Sequence, residues 1–188
     1  MSKTIEDKDL KWMEGVTDKK GMPAGPGPEG YRFEHKLIIN ASASVIWKVL
    51  GKVNKWGNWS VLYPEASGNL VQGSILKLII HVPGTKNVDA TALVEKVEEE
   101  KLLIFKSITK LPEALMNGVR YFEIREIDED SCIVTDGEVV GGLLGVASAH
   151  VVTKGLFKGL QLMNEGLKEQ AEKYMQAGGN LNDTQKEK

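Results

Sequence analysis

One cysteine, Cys132, is all the sulfur chemistry that 188 residues carry beyond methionine, so no internal disulfide and no multi-thiolate centre can form. Histidine is scarce too. His35, His81 and His150 stand far apart, and none belongs to an HExxH or similarly spaced metal motif. No G-x-S-x-G elbow or Walker loop occurs. The GGLLG at 141–145 lacks the Lys and Ser/Thr of a phosphate loop and reads as a bend between elements. No metal and no tightly bound cofactor is expected. The longest apolar run, ILKLIIHV at 75–82, is too short to span a bilayer and contains Lys77, so no integral membrane association is expected. An excess of positive charge is also missing. Twenty-four Lys and Arg are interleaved with 26 Asp and Glu, which argues against a nucleic-acid partner. The opening MSKTIEDKDLKWMEG has no apolar core of the kind a signal peptide needs, and a reducing cytoplasm is the expected location.

Two ends of the chain lack a folding pattern. GMPAGPGPEG at 21–30 holds four glycines and three prolines, and residues 1–30 are expected to be a flexible arm. GGNLNDTQKEK reads as a disordered tail over 178–188. Residues 31–177 are expected to form one domain, with no repeat inside it.

Within that span the signal is mostly period two. In YRFEHKLIIN (31–40), Phe33, His35, Leu37 and Ile39 share one face opposite Glu34 and Lys36, as in a half-buried strand. Strands are likewise predicted at 74–82, 87–98, 101–108, 119–127 and 132–140. EEEK and DEDS supply polar hairpin tips, which implies antiparallel pairing. In ASASVIWKVLG, Ser42 is placed to cap a short helix with Val45, Ile46, Val49 and Leu50 on its apolar stripe. From about Gly142 to Ala177 alternation stops. Leu156, Leu160, Met163, Leu167, Ala171 and Tyr174 recur at three and four, one face of a long helix that needs the sheet as its partner.

Between the short helix and the strands lies NKWGNWSVLYP (54–64), with Trp56 and Trp59 three residues apart. Together with what precedes it, IINASASVIWKVLGKVNKWGNWSVLYPEA (38–66) resembles the first motif of the SRPBCC superfamily, home of the START lipid-transfer and pollen-allergen-like proteins. Ala41, Val45, Trp47, Trp56 and Trp59 carry the likeness. It is nearest the polyketide cyclase/dehydrase-like branch, although Pro64 comes five residues after the second Trp, where that branch often has proline directly after it. The hairpin VEKVEEEKLLIFKS and the end GLFKGLQLMNEGLKEQAEKY agree. The resemblance implies an α+β helix-grip fold: a curved antiparallel sheet and two short helices wrapped around a long C-terminal helix, with an internal apolar cavity. It also implies a small hydrophobic partner, such as a lipid or polyketide.

Candidate ligand contacts follow. Trp56 and Trp59 read first as core anchors, with one of them alternatively bordering the cavity mouth. Arg120 shares a strand face with Phe122 and Ile124, so an inward guanidinium could hold a carboxylate or enolate unless an acid pairs it. His35 is in phase with Leu37 and Ile39. His150 lies where the last helix begins, and Leu156, Leu160 and Met163 lie on its stripe. Tyr63 and Tyr121 offer hydroxyls. Gly155, Gly159 and Gly166 each cost about 1 kcal/mol in a helix interior, so their faces either approach a neighbour closely or leave ligand volume; Gly159 is the candidate for the latter. No convergent acid–base pair is visible. That favours binding over a polyketide cyclase/dehydratase-like enzyme, with a chaperone-activator-like interaction module as a third reading. The catalytic residues and any protein partner are unknown.

Overall fold

The structure, a computed structural model, describes residues 16–18 and 30–177. The tail at 178–188 and, apart from 16–18, the arm at 1–29 lie outside the described residues.

Each segment predicted to alternate forms a strand: β2 (Gly30–Ile39), β4 (Ile75–Ile80), β5 (Val88–Glu98), β6 (Leu102–Ile108), β7 (Asn117–Asp128) and β8 (Ser131–Gly141). Two three-residue strands join them, β1 (Val16–Asp18), within the stretch expected to be an arm, and β3 (Glu65–Ser67). All pairs are antiparallel, in the order β1-β2-β8-β7-β6-β5-β4-β3. Seven of the strands, β2–β8, curl into a half-barrel around the last helix, α2 (Leu143–Gln176). Its 34 residues make it about 51 Å long. The short helix α1 (Ala43–Gly51) and a 3-10 turn (Val53–Asn58) close one end. This is the α+β helix-grip architecture that the resemblance implies.

The inner face is built by the apolar alternates: Leu76 and Leu78, Val94, Leu103 and Phe105, Phe122 and Ile124, Val134, Phe33 and Ile39. Against them α2 sets Leu156, Leu160, Met163, Leu167 and Ala171, all buried. Each large side chain so removed from water contributes about 1.5–3 kcal/mol. The predicted α1 stripe, Val45, Ile46, Val49 and Leu50, is buried in the same core.

Several local details differ from the sequence reading. Ser42 occupies the N-cap of α1, and its carbonyl accepts from the amides of Val45 and Ile46, but its hydroxyl pairs with that of Ser44 rather than with the helix. Two adjacent serines compete for the same short-range partners, and here they satisfy each other. The three-residue strand β3 carries too little pattern to be predicted. It exists because β4 supplies the ladder. The tips behave as their residues require: Glu100 takes a left-handed conformation in the EEEK turn, and Asp128 accepts from the Asp130 amide and the Ser131 hydroxyl in the other.

α2 also guards the edge of the sheet. β1 reaches only Arg32–Glu34 of β2. Beyond that register, Asn164 Nδ2 donates to the His35 carbonyl (2.9 Å), Lys168 Nζ to the Ile38 carbonyl (2.7 Å), and Glu172 accepts from the Asn40 amide (2.9 Å). Three residues four apart on one helix face thus occupy backbone groups that would otherwise be free to template another strand. Among the described residues no helix is long and apolar enough to cross a membrane.

Candidate functional site

Cross-strand register assembles a polar cluster in the apolar inner face. Arg120 of β7 stands opposite Glu138 of β8, and Phe122 opposite Asp136. On the other side of β8, Phe33 and His35 of β2 face the same two acids. Arg120 donates from Nη2 to Asp136 Oδ2 at 2.8 Å and from Nη1 to Glu138 Oε2 at 3.2 Å. Nη2 also lies 3.3 Å from Met163 Sδ on α2. The guanidinium is stacked between two rings, its central carbon 5.6 Å from Tyr63 and 5.5 Å from Phe122. Arg120 is 3% exposed and Asp136 fully buried, while the Glu138 side chain keeps 24% exposure and forms the wetter end.

One guanidinium faces two carboxylates, and that imbalance sets the chemistry. Burial pushes the Asp136 carboxyl up to about 7, with Glu138 adding to the rise and Arg120 opposing it. Burial raises Glu138 as well, again against Arg120. For Arg120, burial works against the charge, but Asp136, Tyr63 and Glu138 outweigh it and hold the guanidinium protonated. The Tyr63 hydroxyl is raised by burial far above neutrality, against the pull of Arg120. Around neutrality the Asp136 carboxyl therefore exchanges between its protonated and ionised forms. Three buried polar atoms here have no hydrogen-bond partner among the described residues: Arg120 Nε, Asp136 Oδ1 and Asn164 Oδ1. Each is a donor or acceptor held ready in a low-dielectric setting.

The structure brings Arg120, Phe122, Tyr63 and Met163 together, with His35 beside them. His35 is half-buried, its Nδ1 is 3.2 Å from Asn164 Nδ2, and its ring meets Phe157 edge-on at 6.1 Å. Burial lowers its pKa, with Glu165 opposing and Lys158 assisting, so it is neutral at pH 7. Leu156 and Leu160 lie on the same buried stripe of α2. Trp56 is fully buried, donates from Nε1 to the Leu50 carbonyl at 2.8 Å, and packs on Tyr63 and Phe105. Trp59, partly buried, meets it edge-on. These are the positions of core anchors. The side chain of His150 lies outside the described residues.

Four expectations need correction. Arg120 is not free to hold a ligand carboxylate, because Asp136 and Glu138 already oppose its charge. Tyr121 points to the outer face, where its hydroxyl donates to Glu34, and Gly137 leaves room for its ring. Gly159 does not open volume: a Cβ there would sit 2.7 Å from Leu62 Cδ1, so the missing side chain serves close packing. The absence of a convergent acid–base group is also overturned, since Asp136 and Glu138 converge on Arg120. Their signal was in CIVTDGEVV, where both acids fall in phase with the apolar Cys132, Val134 and Val140. Asn164 is a further miss, hidden one residue from the apolar stripe. Cys132 is buried, and burial pushes its thiol up to about 11, which leaves it unreactive. Among the described residues no group of three or more His, Cys, Asp or Glu is placed to hold a metal.

The Asp136 shift predicts a pH dependence of stability. In the unfolded chain this carboxyl titrates near 3.8, against about 7 when folded. A raised pKa contributes stability that is full below 3.8 and is lost as pH rises through 7. His35, lowered from 6.5, acts in the opposite sense: its contribution is present above 6.5 and lost as pH falls. Asp136→Asn removes only the first effect. The stability gap between wild type and variant should therefore shrink from pH 5 to pH 8, by about 2–3 kcal/mol. Urea unfolding at both pH values measures it, and a constant gap would refute the assignment.

The sequence matches no family model and no curated protein. Solved structures do match. The Zhui aromatase/cyclase from Streptomyces sp. R1128 superposes with a TM-score of 0.63 at 12% identity, over 80% of this chain and 98% of that one. A START superfamily protein from Mycobacterium smegmatis gives 0.62 at 17%, over 77% and 99%. The chain has the helix-grip fold of these structures. Norcoclaurine synthase from Thalictrum flavum, in a point mutant with a transition-state analogue, shares this helix-grip fold at 0.58 and 17%, over 86% and 98%. Such identities speak to the fold, and the chemistry of this helix-grip protein rests on its own residues.

Proposed function

We propose that this protein binds a small hydrophobic molecule, of lipid or polyketide class, between the inner face of the sheet and α2. The observation that carries the reading is the Arg120–Asp136–Glu138 cluster. It sets a few polar atoms, three of them unpartnered with Asn164 included, into a wall that is otherwise apolar. Ligand sites have this composition: apolar burial supplies affinity and a few polar groups fix orientation. Purification from the native host followed by native mass spectrometry tests it. A bound apolar molecule, released on denaturation and competing with an apolar dye such as Nile red, is the expected result. A protein that carries no such molecule and binds no dye would overturn the proposal.

A second reading, a cyclase/dehydratase-like enzyme, is favoured by one observation. Asp136 holds its proton near neutrality, beside Tyr63, where a carboxyl can exchange protons with a bound molecule at pH 7. The names of two structural neighbours, an aromatase/cyclase and a synthase, support it. Incubation with a poly-β-ketone and detection of dehydrated product by mass spectrometry would separate the readings. On the enzyme reading, Asp136→Asn loses about 10²–10⁴-fold in rate while dye binding persists. No product from the wild type leaves binding alone.

A further inference from the structure

On the outer face of the sheet, away from the inner cluster, lies a cleft of about 300 Å³. That is the lower end of the range for small-molecule sites. Its floor comes from β5 and β6, and the loop between β6 and β7 folds up as a wall. Ile108, Leu111 and Met116 line it and remain 50%, 42% and 37% exposed, so the cleft offers apolar contact without being filled by the protein itself.

Its polar groups are lopsided. Glu113 is paired with Lys106 at 2.5 Å. Glu95, also in the lining, has no ion-pair partner among the described residues. It sits at a bulge: Val94 pairs with Phe105 and Lys96 with Ile104, so Glu95 has no cross-strand residue opposite it. Bulges re-aim side chains in this way. One positive charge therefore stands against two negative ones.

A second observation comes from Asn117, which also lines the cleft and shares the outward phase of Val119 and Tyr121 on β7. It is only 7% exposed. Its Nδ2 donates to the Glu113 carbonyl at 2.9 Å, while its Oδ1 has no partner. A buried amide oxygen without a donor is a standing cost that an incoming N–H removes.

We propose that this cleft is a second binding site, for a small organic ammonium ion with an apolar body. The ammonium would donate toward Asn117 Oδ1 and offset Glu95, while Ile108, Leu111 and Met116 cover the apolar part. An alcohol of the same shape provides a donor but no charge. A carboxylate brings the wrong charge and no donor.

The test is an amide-shift NMR titration of the full chain with three isosteric probes: phenethylammonium, 2-phenylethanol and phenylacetate. Shifts centred on residues 93–95 and 106–117 are expected, with phenethylammonium bound about fivefold more tightly than the alcohol and phenylacetate weakest. Glu95→Gln should weaken phenethylammonium about fivefold and leave 2-phenylethanol unchanged. Because Glu95 is exposed, its melting temperature should match wild type. Equal affinity for ammonium and alcohol, indifference to Glu95→Gln, or shifts centred instead on Arg120 and Asp136 would each overturn the proposal.

Discussion

Arg120→Met is expected to destabilise the protein by about 3–5 kcal/mol, a large part of the roughly 5–15 kcal/mol that holds a domain of this size together. The reason is not the strength of the ion pair itself. Taking Arg120 and Asp136 out of water costs several kcal/mol per ion, and their attraction roughly repays it. Removing the cation alone leaves Asp136, fully buried, and Glu138 at the wetter end of the cluster with no opposing charge. Both carboxyls must then take up protons or stay desolvated and charged. The loss should therefore grow as pH rises, because protonation of the stranded acids becomes harder. A companion variant, Arg120→Met with Asp136→Leu and Glu138→Gln, removes the stranded charges and should recover most of the loss. Urea unfolding at pH 7.5 of wild type, single and triple variants measures both steps. A single variant within 1 kcal/mol of wild type would mean that Asp136 and Glu138 do not depend on Arg120 at all.

Gly166→Ala is expected to lower stability by about 1–3 kcal/mol or more, although alanine is the better helix former by about 1 kcal/mol. A Cβ at Gly166 would overlap the carbonyl oxygen of Trp59 and approach its carbonyl carbon to 3.0 Å. These are main-chain atoms at the end of the 3-10 turn, so relief requires moving the turn that seats Trp56 in the core. Steric overlap with backbone outweighs helix propensity. Gly159 is a milder case, because its neighbours are the Leu62 and Pro83 side chains. Alanine there needs only a small shift of Leu62, whereas leucine has nowhere to go. Gly51, at the end of α1, has nothing within 4 Å, and Gly51→Ala should be neutral or gain up to about 1 kcal/mol. Thermal melts of the four variants give the ranking. A Gly166→Ala protein as stable as Gly51→Ala would contradict the close approach of α2 to Trp59.

Much of this molecule was legible in its sequence. Strand segments, hairpin tips and the stripe Leu156–Leu160–Met163–Leu167–Ala171 are properties of consecutive residues, because side-chain direction repeats every two residues in a strand and every 3.6 in a helix. The inward phase of Arg120 with Phe122 and Ile124 followed from the same rule, and so did the need of the long helix for the sheet. The glycines of α2 were legible as positions of either close packing or open volume, but not which neighbours they approach, since Leu62, Pro83 and Trp59 lie far from them along the chain.

The site was decided by tertiary structure. Arg120 meets Asp136 and Glu138 only because β7 and β8 pair in one register; a slip of one residue would turn both acids outward. Tyr63 stacks on that guanidinium because the loop after the 3-10 turn folds over the sheet. Asp136 holds its proton to about pH 7 because it is fully buried in the core that α2 helps to close. Periodicity says which way a side chain points. What it meets, and how much water is left there, depends on residues distant in sequence, and those two quantities set the charge state of the cluster.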